Sequence, residues 1–89
     1  MCAMIADLEG HFRELLPARD PLLLRLEEEA RREGIPIVGP LVGELLFILA
    51  RVSRAAAILE LGTATGYSAI YLARGCEPYG GKVITLESD

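Results

Sequence analysis

A chain of 89 residues, 52% hydrophobic and 25% charged, is long enough for one small domain and too apolar to stay disordered. Thirteen acidic residues against nine basic ones leave a net charge of -4, which argues against the basic face of a duplex-binding module. No run approaches the ~18 uninterrupted apolar residues of a membrane-crossing helix, so neither nucleic acid nor membrane is an expected partner.

In chain order, the start Met1-Cys2-Ala3-Met4-Ile5 meets Asp7 and Glu9 at once and lacks the basic start and long apolar core of a signal peptide. Cys2 and Cys76 lie too far apart for a zinc knuckle and are too few for a disulfide framework, so reduced thiols in a cytosolic chain are expected. Met4, Ile5, Leu8, Phe12, Leu15 and Leu16 recur at helical spacing, giving a first helix with one apolar face, ended by Pro17. Asp20-Pro21 opens a second helix, with a side-chain acceptor at the N-cap and proline at the first helical position. Leu23, Leu26 and Ala30 form its apolar stripe, and Gly34 its C-cap. Glu27, Glu28 and Glu29 ahead of Arg31 and Arg32 suit i,i+4 pairing on a solvated face.

Ile35-Pro36-Ile37-Val38-Gly39-Pro40 is an apolar connector, because two prolines and a glycine forbid regular helix. Pro40 then starts a third helix whose buried face is expected to carry Val42, Leu45, Leu46, Leu49 and Val52. Ala57-Ile58-Leu59-Glu60-Leu61 reads as a strand buried on both faces. Gly62 to Gly66 is a turn, Tyr67–Arg74 a helix, Gly75–Gly81 a loop and Lys82–Leu86 a second strand. Strand, glycine turn, helix and strand make one βαβ unit with a parallel pair. The fold class is α/β: three N-terminal helices over 1–54, then a Rossmann-like βαβ unit over 55–89.

The chemistry concentrates in Glu60-Leu61-Gly62-Thr63-Ala64-Thr65-Gly66, with Glu87 at the tip of the next strand. Gly62 and Gly66 let the backbone turn tightly and approach a ligand without a Cβ between. The helix that follows offers free amides and a positive dipole end. Glu87 stands 21 residues past Gly66, close to the spacing of an acid that accepts ribose hydroxyls. The glycine spacing is G-x-x-x-G, not the G-x-G-x-x-G of a dinucleotide site, which favours a ribose-containing ligand without a pyrophosphate.

Glu60-Leu-Gly-Thr-Ala-Thr-Gly-Tyr-Ser68 resembles the first motif of S-adenosylmethionine-dependent O-methyltransferases. The likeness is nearest to their catechol and caffeoyl-CoA branch. Pro36-Ile-Val-Gly-Pro-Leu-Val-Gly-Glu-Leu-Leu46 is similar to that branch's lead-in, and Lys82-Val-Ile-Thr-Leu-Glu87 to its second strand and ribose acid. The likeness extends over nearly all 89 residues, most specifically 36–87. It implies that Val38 lines the methionine end and that Gly62, Thr63, Gly66, Tyr67 and Ser68 wrap the methionine portion. It also implies that Glu60 orients the amino group and that Glu87 holds the ribose. The complete fold would move a methyl group to a hydroxyl of a small phenolic or catechol-like acceptor, with a divalent metal such as Mg assisting.

The family's adenine pocket, metal carboxylates and catalytic groups follow the second strand, and a doubly wound sheet has about six strands where this chain offers two. The chain is therefore expected to be a truncated N-terminal portion, inactive alone, with no catalytic or metal-binding residue of its own. Several residues also have plainer readings. Glu60 suits a core-edge carboxylate, Tyr67 a packing residue with a wet hydroxyl and Ser68 a helix-start cap. His11 reads as a surface histidine and Cys76 as an inert loop thiol. Two rival readings stay open: a homo-oligomer built by burying unpaired sheet edges, and a nucleotide- or NAD-binding half-domain.

Overall fold

The computed structural model describes residues 6–62 and 64–87. Among these residues the order is α1 (Leu8–Glu14), α2 (Pro21–Glu33), α3 (Gly39–Val52), β1 (Ala57–Leu61), α4 (Tyr67–Cys76) and β2 (Lys82–Leu86), with a 3-10 turn at Glu77–Tyr79. This is the expected α/β arrangement of three helices followed by a βαβ unit.

The caps explain where the first helices begin and end. The Asp7 side chain accepts the Gly10 amide at 3.0 Å and starts α1. Asp20 Oδ1 accepts the Leu23 amide at 3.0 Å, with Pro21 at the first position of α2. Gly34, at φ 68°, ends α2 in the left-handed conformation that favours glycine, and the Ile35 amide returns to the Ala30 carbonyl at 2.9 Å. Leu23 and Ala30 are buried as their spacing predicts. Leu8, Phe12 and Leu15 of the expected α1 stripe are exposed and α1 buries no residue, while Met4 and Ile5 lie outside the described residues.

α3 corrects the sequence reading. Val42, Leu45, Leu49 and Val52 are exposed, and the buried positions are Pro40, Gly43 and Ala50. Small residues take the inner face because α3 makes its main contact with α4, and a short distance between axes stabilises through backbone proximity. Gly43 lies against the Tyr71 ring, and a Cβ on Gly75 would stand 2.6 Å from Ala50 Cβ and 2.8 Å from the Phe47 carbonyl. Gly75 and Cys76 therefore belong to α4 and not to a loop. Arg51 on α3 closes that end: its Nε donates to the Gly75 carbonyl at 3.2 Å and its Nη2 to the Arg74 carbonyl at 3.1 Å. These carbonyls are the unsatisfied acceptors of a helix C-terminus.

β1 and β2 pair in parallel, with Ala57 opposite Lys82 and Leu61 opposite Leu86. Alternation decides their burial. Ile58, Glu60, Val83 and Thr85 are half-buried on the face that α4 covers, while Leu59, Leu61, Ile84 and Leu86 are exposed. β1 is thus covered on one face only, because the described residues supply one helical layer. The buried centre is Leu23, Tyr67 and Tyr71, flanked by Leu26, Ile37, Phe47 and Ile70.

Candidate functional site

The ends of the two strands and the start of α4 meet at the glycine turn. Glu60 is the fourth residue of β1 and its side chain points to the α4 face, as the strand alternation requires. There its Oε2 accepts the Ser68 hydroxyl proton from the first turn of α4. Its other oxygen, Oε1, is buried and has no hydrogen-bond partner among the described residues. A buried carboxylate oxygen without a donor is costly, so it marks a position where a donor is missing.

The turn is held from the other strand as well. The Gly62 amide donates to the Leu86 carbonyl at 2.6 Å, and the Ala64 amide donates to Glu87 Oε2 at 2.6 Å. Gly62 and Gly66 take φ of 87° and 83°, and Ala64 takes φ 49°, so the segment repeatedly enters the left-handed region. No heavy atom lies within 4 Å of a Cβ built on Gly62 or Gly66. These glycines are required by backbone conformation, and the space beside them is open.

Gly66 is the N-cap of α4, and no side chain among the described residues caps that end. The Ile70 amide reaches the Gly66 carbonyl at 3.1 Å, leaving the earlier amides of the turn without a helical acceptor. Uncapped amides with the helix dipole behind them attract an anion. Thr65 adds a buried hydroxyl that has no partner, a residue the sequence reading did not single out.

The remaining expected site residues fall as follows. Val38 is exposed immediately before α3, with helical backbone. Ser68 donates to Glu60 and does not cap its helix, in place of the helix-start cap expected as its plainer reading. Tyr67 turns its ring inward, where it is 2% exposed, and presents only its backbone to the turn. Its hydroxyl donates to Glu27 Oε2 at 2.6 Å, and its ring meets Tyr71 edge-on at 5.4 Å. Burial first, and then the bond to Glu27, pushes the Tyr67 phenol far above its ordinary value. Thr63 lies outside the described residues.

Glu27 departs from the solvated face expected for the Glu27–Arg32 run. It turns inward, with Arg19 Nε 2.7 Å from the same Oε2. Glu28 and Arg31 do pair on the exposed side, at i,i+3 spacing. The spacing held the signal: Glu27 comes four residues after Leu23 and three before Ala30, on the buried stripe of α2. Arg19, outside any periodic segment, left no comparable trace. His11 is exposed as expected, and Cys76 is a buried helical thiol.

Among the described residues no three His, Cys, Asp or Glu side chains gather into a metal-binding group. No described helix is long and apolar enough to cross a membrane.

The profile of the O-methyltransferase family matches residues 18–89. A catechol O-methyltransferase of Niastella koreensis is 39% identical over 85 residues, covering 93% of this chain and 38% of that protein. The crystal structure of an O-methyltransferase from Bacillus cereus in complex with SAH superposes with a TM-score of 0.78 at 34% identity, covering 92% of this chain and 38% of that one. TomG of Streptomyces achromogenes, an O-methyltransferase solved in complex with SAM, gives 0.75 at 38% identity, covering 88% and 35%. The chain thus spans well under half the length of these relatives, and what it shares with them is the helical lead-in and the first βαβ unit. A family profile matched from Ala18 to Asp89, on a backbone that follows solved members, decides the question: the chain belongs to the O-methyltransferase family.

Proposed function

We propose that this chain carries the methionine and ribose half of an S-adenosylmethionine site. The complete fold would use it to methylate a hydroxyl of a small phenolic or catechol-like acceptor. The observation that carries the reading is the buried, unpartnered Glu60 Oε1 beside the uncapped start of α4. The methionine portion of the cofactor brings a complementary pair of charges: an ammonium that donates and a carboxylate that accepts. Glu60 Oε1 would take the ammonium, and the first-turn amides of α4 the carboxylate. Glu87 would exchange its bond with the Ala64 amide for the ribose hydroxyls, Val38 would line the methionine end, and Gly62 and Gly66 would leave room for the ligand. When bound, the cofactor's sulfonium supplies an activated methyl group, and the residues here only hold and orient it.

The divalent metal that the resemblance implies finds no ligand group among the described residues, so no step of this reading passes through it. The reading gives the chain cofactor affinity without turnover. Calorimetric titration with S-adenosylhomocysteine, with NAD as control, tests it. Binding of S-adenosylhomocysteine alone, weakened about tenfold or more by Glu87→Ala, is the expected result, since a bond to a charged group contributes roughly 1.5–3 kcal/mol. Preference for NAD would replace the reading with a nucleotide half-domain.

A second reading concerns the chain by itself: that it self-associates. Its accessible surface is 6447 Å², about 1,300 Å² more than expected for a folded monomer of 9.7 kDa. Leu59, Leu61, Ile84 and Leu86 contribute to that excess on one sheet face. An exposed apolar sheet face favours association.

A further inference from the structure

We infer that Glu27 is a positioning residue for the cofactor turn, acting from α2 through the Tyr67 hydroxyl. Tyr67 is the first residue of α4, directly after Gly66, so whatever fixes its side chain fixes the backbone that leaves the turn. Its hydroxyl reaches 40 residues back in sequence to Glu27 and donates to Oε2 at 2.6 Å. Arg19 and Tyr67 meet the same carboxylate oxygen, and they act differently on it. Arg19 Nε stands 2.7 Å away but has no hydrogen-bond geometry, so it supplies charge and no direction. The Tyr67 bond is the directional tie. The Tyr71 hydroxyl lies 3.4 Å from the same hydroxyl.

The turn needs a second anchor. Gly62, Ala64 and Gly66 lie in the left-handed region, and no side chain among the described residues caps α4. On the strand side Ser68 is tied to Glu60, which holds one flank of the first helical turn. The Tyr67–Glu27 bond holds the opposite flank against the helical layer. Losing it leaves the Ile70 amide to Gly66 carbonyl bond to close the first turn with support from one side.

The cofactor part of this inference rests on the proposed S-adenosylmethionine site; the anchoring of the turn does not. The test is therefore twofold, on the whole chain. Amide hydrogen exchange by NMR is measured without ligand, and S-adenosylhomocysteine affinity by calorimetry, for Tyr67→Phe, Glu27→Ala, Glu27→Gln and the double variant Tyr67→Phe/Glu27→Ala. Circular dichroism confirms folding, and Glu28→Gln controls for loss of one charge on α2. The expected result is about tenfold faster exchange at the Ile70 amide in Tyr67→Phe and in Glu27→Ala, the scale of one hydrogen bond to a charged acceptor. The Glu77 amide, bonded to the Ala73 carbonyl at the far end of α4, keeps its rate. Glu27→Gln retains an acceptor and recovers most of the protection. The affinity falls by a similar factor in the single variants, and no further in the double one. Unchanged exchange at Ile70, or uniform acceleration along α4, overturns the inference, since uniform acceleration is what a purely structural role produces. Weakened protection with unchanged affinity overturns its cofactor part. If the wild-type chain shows the exchange pattern but binds no S-adenosylhomocysteine, the cofactor reading fails and the anchoring of the turn stands.

Discussion

At the residue scale, the glycine turn is governed by unmet hydrogen-bonding capacity. Glu60 has one oxygen satisfied by Ser68 and one buried without a donor. Ser68→Ala removes the satisfied contact and leaves a half-buried carboxylate with neither. The expected loss is about 1–3 kcal/mol of unfolding free energy, read from the urea midpoint at constant m. Tyr67 and Tyr71 provide a second test. Burial raises both phenols above their ordinary value of 10.0, and Glu27 raises Tyr67 further. A group held protonated in the fold stabilises it fully below its unfolded value, and that contribution is lost as pH rises past it. Thermal stability of the wild-type chain should therefore fall above pH 10, and more steeply than that of Tyr67→Phe. Parallel curves for the two chains would mean that Tyr67 ionises as readily folded as unfolded.

At the element scale, the contact between α3 and α4 carries the helical layer, and small residues make it. Gly75→Ala poses two opposing effects. Alanine in a helix interior gains about 1 kcal/mol over glycine in propensity. Against it, the new methyl would sit 2.8 Å from the Phe47 carbonyl and 2.6 Å from Ala50 Cβ. A backbone carbonyl cannot rotate away as a side chain can, so the helices must separate, at a cost of about 1–3 kcal/mol. Net destabilisation is expected, with a lower melting temperature by calorimetry. This contact was illegible in the sequence. Val42, Leu45, Leu46, Leu49 and Val52 form a stronger hydrophobic stripe than Gly43, Phe47 and Ala50, and periodicity weighs size of the apolar group over closeness of approach. The caps were legible, because Asp20, Pro21 and Gly34 act on their own backbone within a few residues.

At the scale of the whole molecule, the fold is open. A radius of gyration of 14.6 Å exceeds the roughly 12 Å of a closed domain of this length. The exposed row Leu59, Leu61, Ile84 and Leu86 has the alternation of an interior sheet face with no layer laid on it. If self-association covers that row, sedimentation should show a species heavier than 9.7 kDa, and Ile84→Lys should return it to monomer without lowering the helical signal. A wild-type monomer at millimolar concentration would rule out the association.

Much of the candidate site was written locally. Glu60, Gly62, Gly66, Ser68 and Glu87 sit within or at fixed spacing from one strand–turn–helix segment, so their meeting at one turn could be read from their order. The α/β class followed from the same segment and from the helix signals before it. Tertiary structure decided burial wherever the local pattern did not, as that pattern did for Leu23 and Ala30 of α2. It left Leu8, Phe12 and Leu15 exposed, turned α3 onto its small residues, covered one side of the sheet and drew Glu27 from a charge run to the edge of the core beside Tyr67. The physical reason is range. Caps and turns are set by hydrogen bonds a few residues long, whereas burial depends on which distant surface arrives, and a separation of 40 positions between Glu27 and Tyr67 carries no local trace of their meeting.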